Sequence, residues 1–154
     1  MTIAFRKVSE PYGWLGNMSY HPVVYDGVEY YTSEHLFQIL RYDRSHIVWA
    51  EIPKIKSPMA AKLAMKEYYG ENIIEPLSDQ DFDNMKLCLL LKLERNPELV
   101  DQLLATGNEE IIEDVTKRQH GNNLIWGAAL RDGEWYGANE LGRLWMEIRD
   151  ELSN

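Results

Sequence analysis

The segment Thr32-Ser33-Glu34-His35-Leu36-Phe37-Gln38-Ile39-Leu40-Arg41 holds the residues best suited to chemistry. At helical spacing Leu36, Ile39 and Leu40 make an apolar side. Glu34, Gln38 and Arg41 fall at i, i+4 and i+7 and share another face. A carboxylate in the first turn of a helix is held in its ionised form by the helix dipole. Turned to a cleft and ringed by hydrogen-bonding groups, it suits a general base or a stabiliser of developing positive charge. The same face also reads as ordinary solvated surface, where charged helical residues usually lie.

Other reactive residue types give less. The histidines, His21, His35, His46 and His120, show no metal-ligand spacing. Cys88 lies in an apolar helical stretch and reads as a small core residue rather than a nucleophile. Neither a nucleophile elbow nor a phosphate-binding glycine loop is present. Glycines and aromatic residues cluster near both ends: Tyr12-Gly13-Trp14 with Asn17, Trp126-Gly127, and Tyr136-Gly137-Ala138-Asn139. Glycine lets a ligand approach the backbone closely, and aromatic rings stack on bases. Turns and core tryptophans are the alternative reading of each cluster.

The elements that must position these residues can be read from punctuation. Asp26-Gly27 and Asp132-Gly133, each between β-branched or aromatic residues, predict two hairpins. Ser33 is expected to cap a helix from Glu34 to about Asp43. Ser57-Pro58 starts another, with Gly70 as its stop. Ser78 or Asp79 starts a long helix to Asn96 that is apolar on most faces and so is expected at the centre. Asn96-Pro97 begins a short helix ending at Thr106-Gly107, residues 109–115 suit a strand, and Asn139 is expected to cap a last helix. The sum is an α+β fold, mainly helical, with about five helices and two short hairpins in a single domain over residues 1–154.

Composition agrees. With 154 residues, 45% of them hydrophobic, the chain can close one core and is short for two domains of usual size. A net charge of −9 argues against an extended phosphate-binding surface. One cysteine, no apolar run of membrane length and no signal-like start fit a cytoplasmic protein without membrane attachment.

Taken in order, these blocks resemble the YbiA-like, or NADAR, family over nearly the whole chain. The resemblance rests on Phe5, Tyr12-Gly13, Asn17, the Asp26-Gly27 hairpin, and Thr32-Ser33-Glu34-His35 with Phe37-Gln38. It continues through Ser57-Pro58, Ala61, Met85, Lys92, Leu103 to Gly107, and Trp126-Gly127. It closes with Gly137-Ala138-Asn139-Glu140-Leu141-Gly142 and Trp145-Met146-Glu147-Ile148-Arg149. It implies an N-glycosidase that cleaves the bond from ribose C1 to an amine or ring nitrogen, with no cofactor or metal. Two substrate classes go with it: ADP-ribose on guanine bases of nucleic acid, and ribosylamino-pyrimidine phosphates of riboflavin biosynthesis. A non-catalytic module for ADP-ribose or NAD is the rival of another kind.

Two departures rank the substrates. Where riboflavin-type members continue the Ser-Pro helix with Gly-Arg-x-Arg, this chain reads Ala64-Met65-Lys66-Glu67-Tyr68. Two guanidinium groups for a 5′-phosphate are thus missing, and lysine is no bidentate substitute. Asn123 stands where members often carry an aspartate, and an amide is no general acid. ADP-ribosyl-guanine therefore ranks first, on modified DNA recognised without a broad nucleic-acid surface. By the same resemblance Glu34 is the catalytic carboxylate, with Gln38 beside it. Asn17 and Asn139 are expected on ribose or phosphate oxygens, and Trp126 or Tyr12 on a ring. Backbone near Gly13 and Gly137 is expected on phosphate, Gly127 on the substrate beside Trp126, and Arg41 and Lys56 on a pyrophosphate.

Overall fold

In a computed structural model that describes all 154 residues, both Asp-Gly pairs turn hairpins. Asp26 and Gly27 have φ of 52° and 78°, and Asp132 and Gly133 have 49° and 81°. Two successive positive φ values give the tight turn whose twist matches the flanking strands. In chain order the elements are β1 (Thr2–Phe5), β2 (Val23–Tyr25), β3 (Val28–Tyr30), α1 (Ser33–Leu40), α2 (Val48–Glu51), α3 (Pro58–Ala64) and α4 (Asp79–Arg95). Then follow α5 (Glu98–Leu104), β4 (Glu110–Glu113), α6 (Asn123–Trp126), β5 (Ala129–Arg131), β6 (Glu134–Tyr136) and α7 (Glu140–Ser153). The α+β class with dominant helices holds. The count of about five helices is corrected to seven, because α2 and α6 have four residues each and show no usable period.

Residues 1–16 with 98–154 form one compact unit, and residues 17–97 form another. In the first, β1 pairs in parallel with β4, Thr2 opposite Glu110 and Phe5 opposite Glu113. That pairing is absent from the sequence reading, because β1 has only four residues and its partner lies over 100 residues away. Helix α7 packs on β4. Its Trp145 is fully buried, donates from Nε1 to the Leu15 carbonyl at 2.9 Å and meets Trp14 edge-on. Arg149, buried near the end of the same helix, donates to Thr106 Oγ1 at 2.9 Å and to the Glu109 carbonyl at 2.8 Å.

Two helix starts depart from expectation. The cap of α1 is Thr32, one residue earlier than expected, its Oγ1 accepting from the His35 amide. Asn139 occupies the cap position of α7, but in a left-handed conformation and with no side-chain capping bond. Its amide instead bridges β4, donating to the Ile111 carbonyl at 2.9 Å and accepting from the Glu113 N–H at 3.0 Å. Gly142 follows from this close seat. A Cβ there would stand 2.1 Å from the Ile111 carbonyl oxygen. Gly142→Ala is expected to force α7 off β4 at about 3 kcal/mol, the upper range for overpacking. The melting temperature should fall by about 6–12 °C in calorimetry.

The second unit packs β2 and β3, α1, α3 and α4 around Val23, Leu36, Ile39, Val48, Ile52, Ala61, Met65 and Leu89. Here α4 corrects the expectation of a helix apolar on most faces. Its buried stripe runs Asp81, Asn84, Met85, Cys88, Leu89, Lys92, Leu93, while Leu90 is 41% exposed. Three polar side chains thus face the interior. The α3 helix gives way at Met65 to a 3-10 turn through Tyr68, just before Gly70 at φ 92°.

Candidate active site

The site grows from the start of α1. Proline-free residues from Ser33 onward, a threonine cap and an acidic first turn make this helix locally favourable. The loop before β2 crosses that end. The Asn17 carbonyl accepts from the Glu34 amide at 3.1 Å and from Ser33 Oγ at 3.2 Å. Asn17 Oδ1 accepts from Ser33 Oγ at 2.9 Å, and its Nδ2 lies 3.2 Å from Met85 Sδ on α4. One orphan N–H of the first turn is satisfied in this way, which ties the loop through Asn17 to the start of α1.

Glu34 is 7% exposed. Its Oε1 accepts from Gln38 Nε2 at 2.9 Å, the i, i+4 pair foreseen from spacing. The face is therefore not a solvated surface. Cys88 is fully buried on α4. Burial pushes its thiol well up, and the negative charges of Glu34 and Asp81 push it further. It is an inert core group, as expected of a thiol kept protonated.

His35 braces the same turn. It is fully buried, and its Nε2 lies 2.6 Å from the Ile55 carbonyl. A carbonyl only accepts, so Nε2 carries the hydrogen and Nδ1 accepts from Thr32 Oγ1 at 2.7 Å. Burial lowers the pKa of the ring, so it stays neutral; the Ile55 carbonyl and Glu34 pull the other way with less effect. Lys56, exposed, follows the carbonyl that His35 holds.

Arg41 is corrected. Its Nε and Nη2 both reach the Asp81 carboxylate at 2.8 Å, and its guanidinium lies 4.7 Å from the Phe37 ring. Asp81 is fully buried and also accepts from the Leu77 amide. The charge of Arg41 is matched inside the fold by Asp81.

Sequence reasoning gave Lys92 no chemical role of its own. This lysine has no exposed surface, and its ammonium donates to Ser19 Oγ at 2.8 Å. Burial alone lowers its pKa from 10.5 to about 7. It stands one helical turn beyond Cys88 on the stripe facing α1, and Ser19 lies two residues past Asn17. The signal was a lysine at the i+4 position of an apolar stripe, which on a bare sequence reads as a snorkelling side chain.

The remaining expected residues lie in the other unit. Tyr12 is 41% exposed. Gly13, Gly127 and Gly137 are approached by the chain itself rather than by open space. A Cβ on Gly137, at φ 139°, would stand 2.5 Å from the Gly127 carbonyl oxygen, and one on Gly13 would stand 2.3 Å from that of Val8. One on Gly127 would stand 2.5 Å from the Glu113 carbonyl oxygen. Asn139, with both ends of its amide on β4, holds backbone instead of offering a free amide. Asn123 donates to the Arg118 carbonyl at 2.7 Å. Trp126 is half-buried. Trp126→Ala is therefore expected to lower stability by less than about 2 kcal/mol, below the 3–5 typical of a core tryptophan. Denaturant unfolding beside ligand titration checks this. A larger loss of stability with unchanged affinity would make Trp126 a core residue.

Comparison with known proteins gives a consistent picture. The NADAR domain model matches residues 4–153. N-glycosidase YbiA of Shigella flexneri is 32% identical over 157 residues, covering 98% of this chain and 88% of that protein. The riboflavin biosynthesis protein VVA0006 of Vibrio vulnificus is 28% identical over 97% of this chain, which spans 38% of that longer protein. The NMR structure of the Escherichia coli protein YbiA superposes with a TM-score of 0.75 at 30% identity, covering 99% of this chain and 87% of that one. No helix is long and apolar enough to cross a membrane.

Proposed function

This chain belongs to the NADAR family, and from that premise we propose that it is an N-glycosidase that hydrolyses a ribosyl C1–nitrogen bond, with ADP-ribosylated guanine as substrate. The observation that carries the reading is Glu34: a nearly buried carboxylate in the first turn of α1, its backbone held by Asn17 and its Oε1 held by Gln38. Cleavage of such a bond passes through a state with positive charge on the sugar. A fixed carboxylate in a water-poor site stabilises that charge with no reorganisation during the step.

The step is a hydrolysis. The C1–nitrogen bond breaks and its electron pair leaves with the base. Water adds its oxygen to C1, and Glu34 takes the proton that water loses. The leaving nitrogen gains a proton. We assign its source to the Lys92–Ser19 pair, since an amine with a pKa of about 7 gives up a proton near neutrality and Asn123 cannot. Metal and cofactor play no part in this scheme.

Mass spectrometry of the protein incubated with a panel tests the reading. The panel is ADP-ribosylated guanine oligonucleotide, a ribosylamino-pyrimidine phosphate and NAD. Release of ADP-ribose from the oligonucleotide is the expected result. Release of ribose phosphate instead would favour the second reading, a riboflavin-pathway intermediate, which the name of the Vibrio vulnificus relative supports. Binding of ADP-ribose without any cleavage would leave a recognition module.

A further inference from the structure

Lys92 has no exposed surface, and Ser19, which it meets, is only 3% exposed. Neither side chain exchanges a proton directly with bulk water while the fold is closed. An amine that protonates the leaving base must recover that proton before the next cycle. One neighbour of the pair does reach the surface. His21 is half-buried, and its Nδ1 lies 3.0 Å from Ser19 Oγ. Lys92 Nζ lies 2.8 Å from the same oxygen. The three side chains make an unbroken line of hydrogen bonds from a desolvated amine to an imidazole at the surface.

The backbone holds this line in place. The His21 amide donates to the Ser19 carbonyl at 2.8 Å, a tight turn between the two. Asn96, 6% exposed, donates from Nδ2 to the Pro22 carbonyl and to the Lys92 carbonyl, both at 2.8 Å. The residue after His21 is thereby tied to the turn of α4 that carries Lys92. Counting donors and acceptors then gives the line two polarities. An ammonium has donors only, so Ser19 Oγ accepts from charged Lys92 and the hydroxyl hydrogen is available to His21 Nδ1, with the ring hydrogen on Nε2. With Lys92 neutral the line reverses. The Ser19 hydrogen turns to the amine lone pair, and His21 donates from Nδ1 to Oγ. Histidine supports both arrangements near neutrality, because either ring nitrogen can carry the hydrogen.

We propose that His21, acting through Ser19, is the port by which Lys92 recovers its proton from water after each cleavage. His21 Nε2 takes a proton from water, Nδ1 passes its own to Ser19 Oγ, and Ser19 passes its hydrogen to Lys92 Nζ. One bond to hydrogen forms and one breaks at each link, and the positive charge appears on Lys92. The hydroxide left in the solvent is neutralised when Glu34 releases the proton it took from the attacking water. Nothing is consumed besides that attacking water. The proposal rests on the N-glycosidase reading only for the use made of the proton. The relay itself needs no substrate.

The test is hydrogen exchange at Lys92 Nζ in the intact protein, isotope-labelled at lysine and followed by NMR. His21→Asn keeps an acceptor near the Nδ1 position and cannot pass a proton on. Ser19→Ala removes the middle link. Each should slow the exchange by at least about tenfold, because local opening is then the only path to water. Free imidazole should restore the rate in His21→Ala and not in Ser19→Ala. Melting temperatures identify a variant that has lost its fold, and the other substitution then decides. Exchange at the wild-type rate in His21→Asn and Ser19→Ala overturns the proposal, as does restoration by imidazole in both. Turnover of the ADP-ribosylated oligonucleotide gives a second readout. His21→Asn should slow later turnovers about tenfold relative to the first, which Lys92 enters already charged; loss of a general acid itself costs roughly 100-fold or more. Equal slowing of first and later turnovers overturns the port. Absence of cleavage in the wild type, with exchange slowed in both variants, overturns the N-glycosidase reading and leaves the relay standing.

Discussion

Glu34→Gln is expected to lower turnover by on the order of 100-fold or more and to leave the fold intact. Removing a single preorganised group that meets transition-state charge typically has an effect of this size. The variant is close to isosteric, and its amide oxygen still accepts from Gln38 Nε2 at the position Oε1 now holds. The backbone bond from residue 34 to the Asn17 carbonyl does not depend on the side chain. Single-turnover kinetics beside thermal unfolding separates the effects. Retained turnover removes Glu34 from the catalytic role, and a collapsed melting temperature makes it structural.

Lys92→Met is expected to raise stability below pH 7 and to change the pH–rate profile. The folded-state pKa of Lys92 is about 7, against 10.5 for a free lysine. Below pH 7 the ammonium is charged in both states, and the full burial penalty opposes folding. Between pH 7 and 10.5 the folded state holds a neutral amine while the unfolded chain still binds the proton, so stability rises with pH. Above 10.5 the penalty is gone. The gap between the two values corresponds to about 5 kcal/mol as an upper bound. Apolar replacement of buried charges usually recovers about 1–4 kcal/mol. The melting-temperature gap between variant and wild type should therefore be widest below pH 7 and close towards pH 10.5. Taking the difference cancels the general effect of a chain at −9. The wild-type rate should fall above pH 7 as the proton donor is lost, and the variant should lack that limb. A variant with an unchanged profile would leave Lys92 a purely structural lysine.

Several features were settled by the sequence alone. Asp-Gly turns demand a positive φ at two successive residues, so Asp26-Gly27 and Asp132-Gly133 announce their hairpins without help from the rest of the chain. The i, i+4 link of Glu34 to Gln38 follows from helical pitch. Cys88 was readable as core from its apolar neighbours. The ordered blocks carried the family, because they are numerous and spread over the whole chain.

Tertiary structure decided what those residues face. No local rule distinguishes a solvated glutamate from one at 7% exposure, since burial of Glu34 depends on α4 and on the loop through Asn17. Arg41 looked free until Asp81, forty residues on, came within 2.8 Å of its guanidinium. Asn139 looked like a cap or a ligand contact until β4 took both ends of its amide. Lys92 is one charged residue in an apolar stretch, and only packing removed its water and brought its pKa to about 7. Helix pitch and turn geometry are properties of short stretches of chain. Desolvation and the choice of hydrogen-bond partner depend on which distant segments arrive, and only the closed fold brings them together.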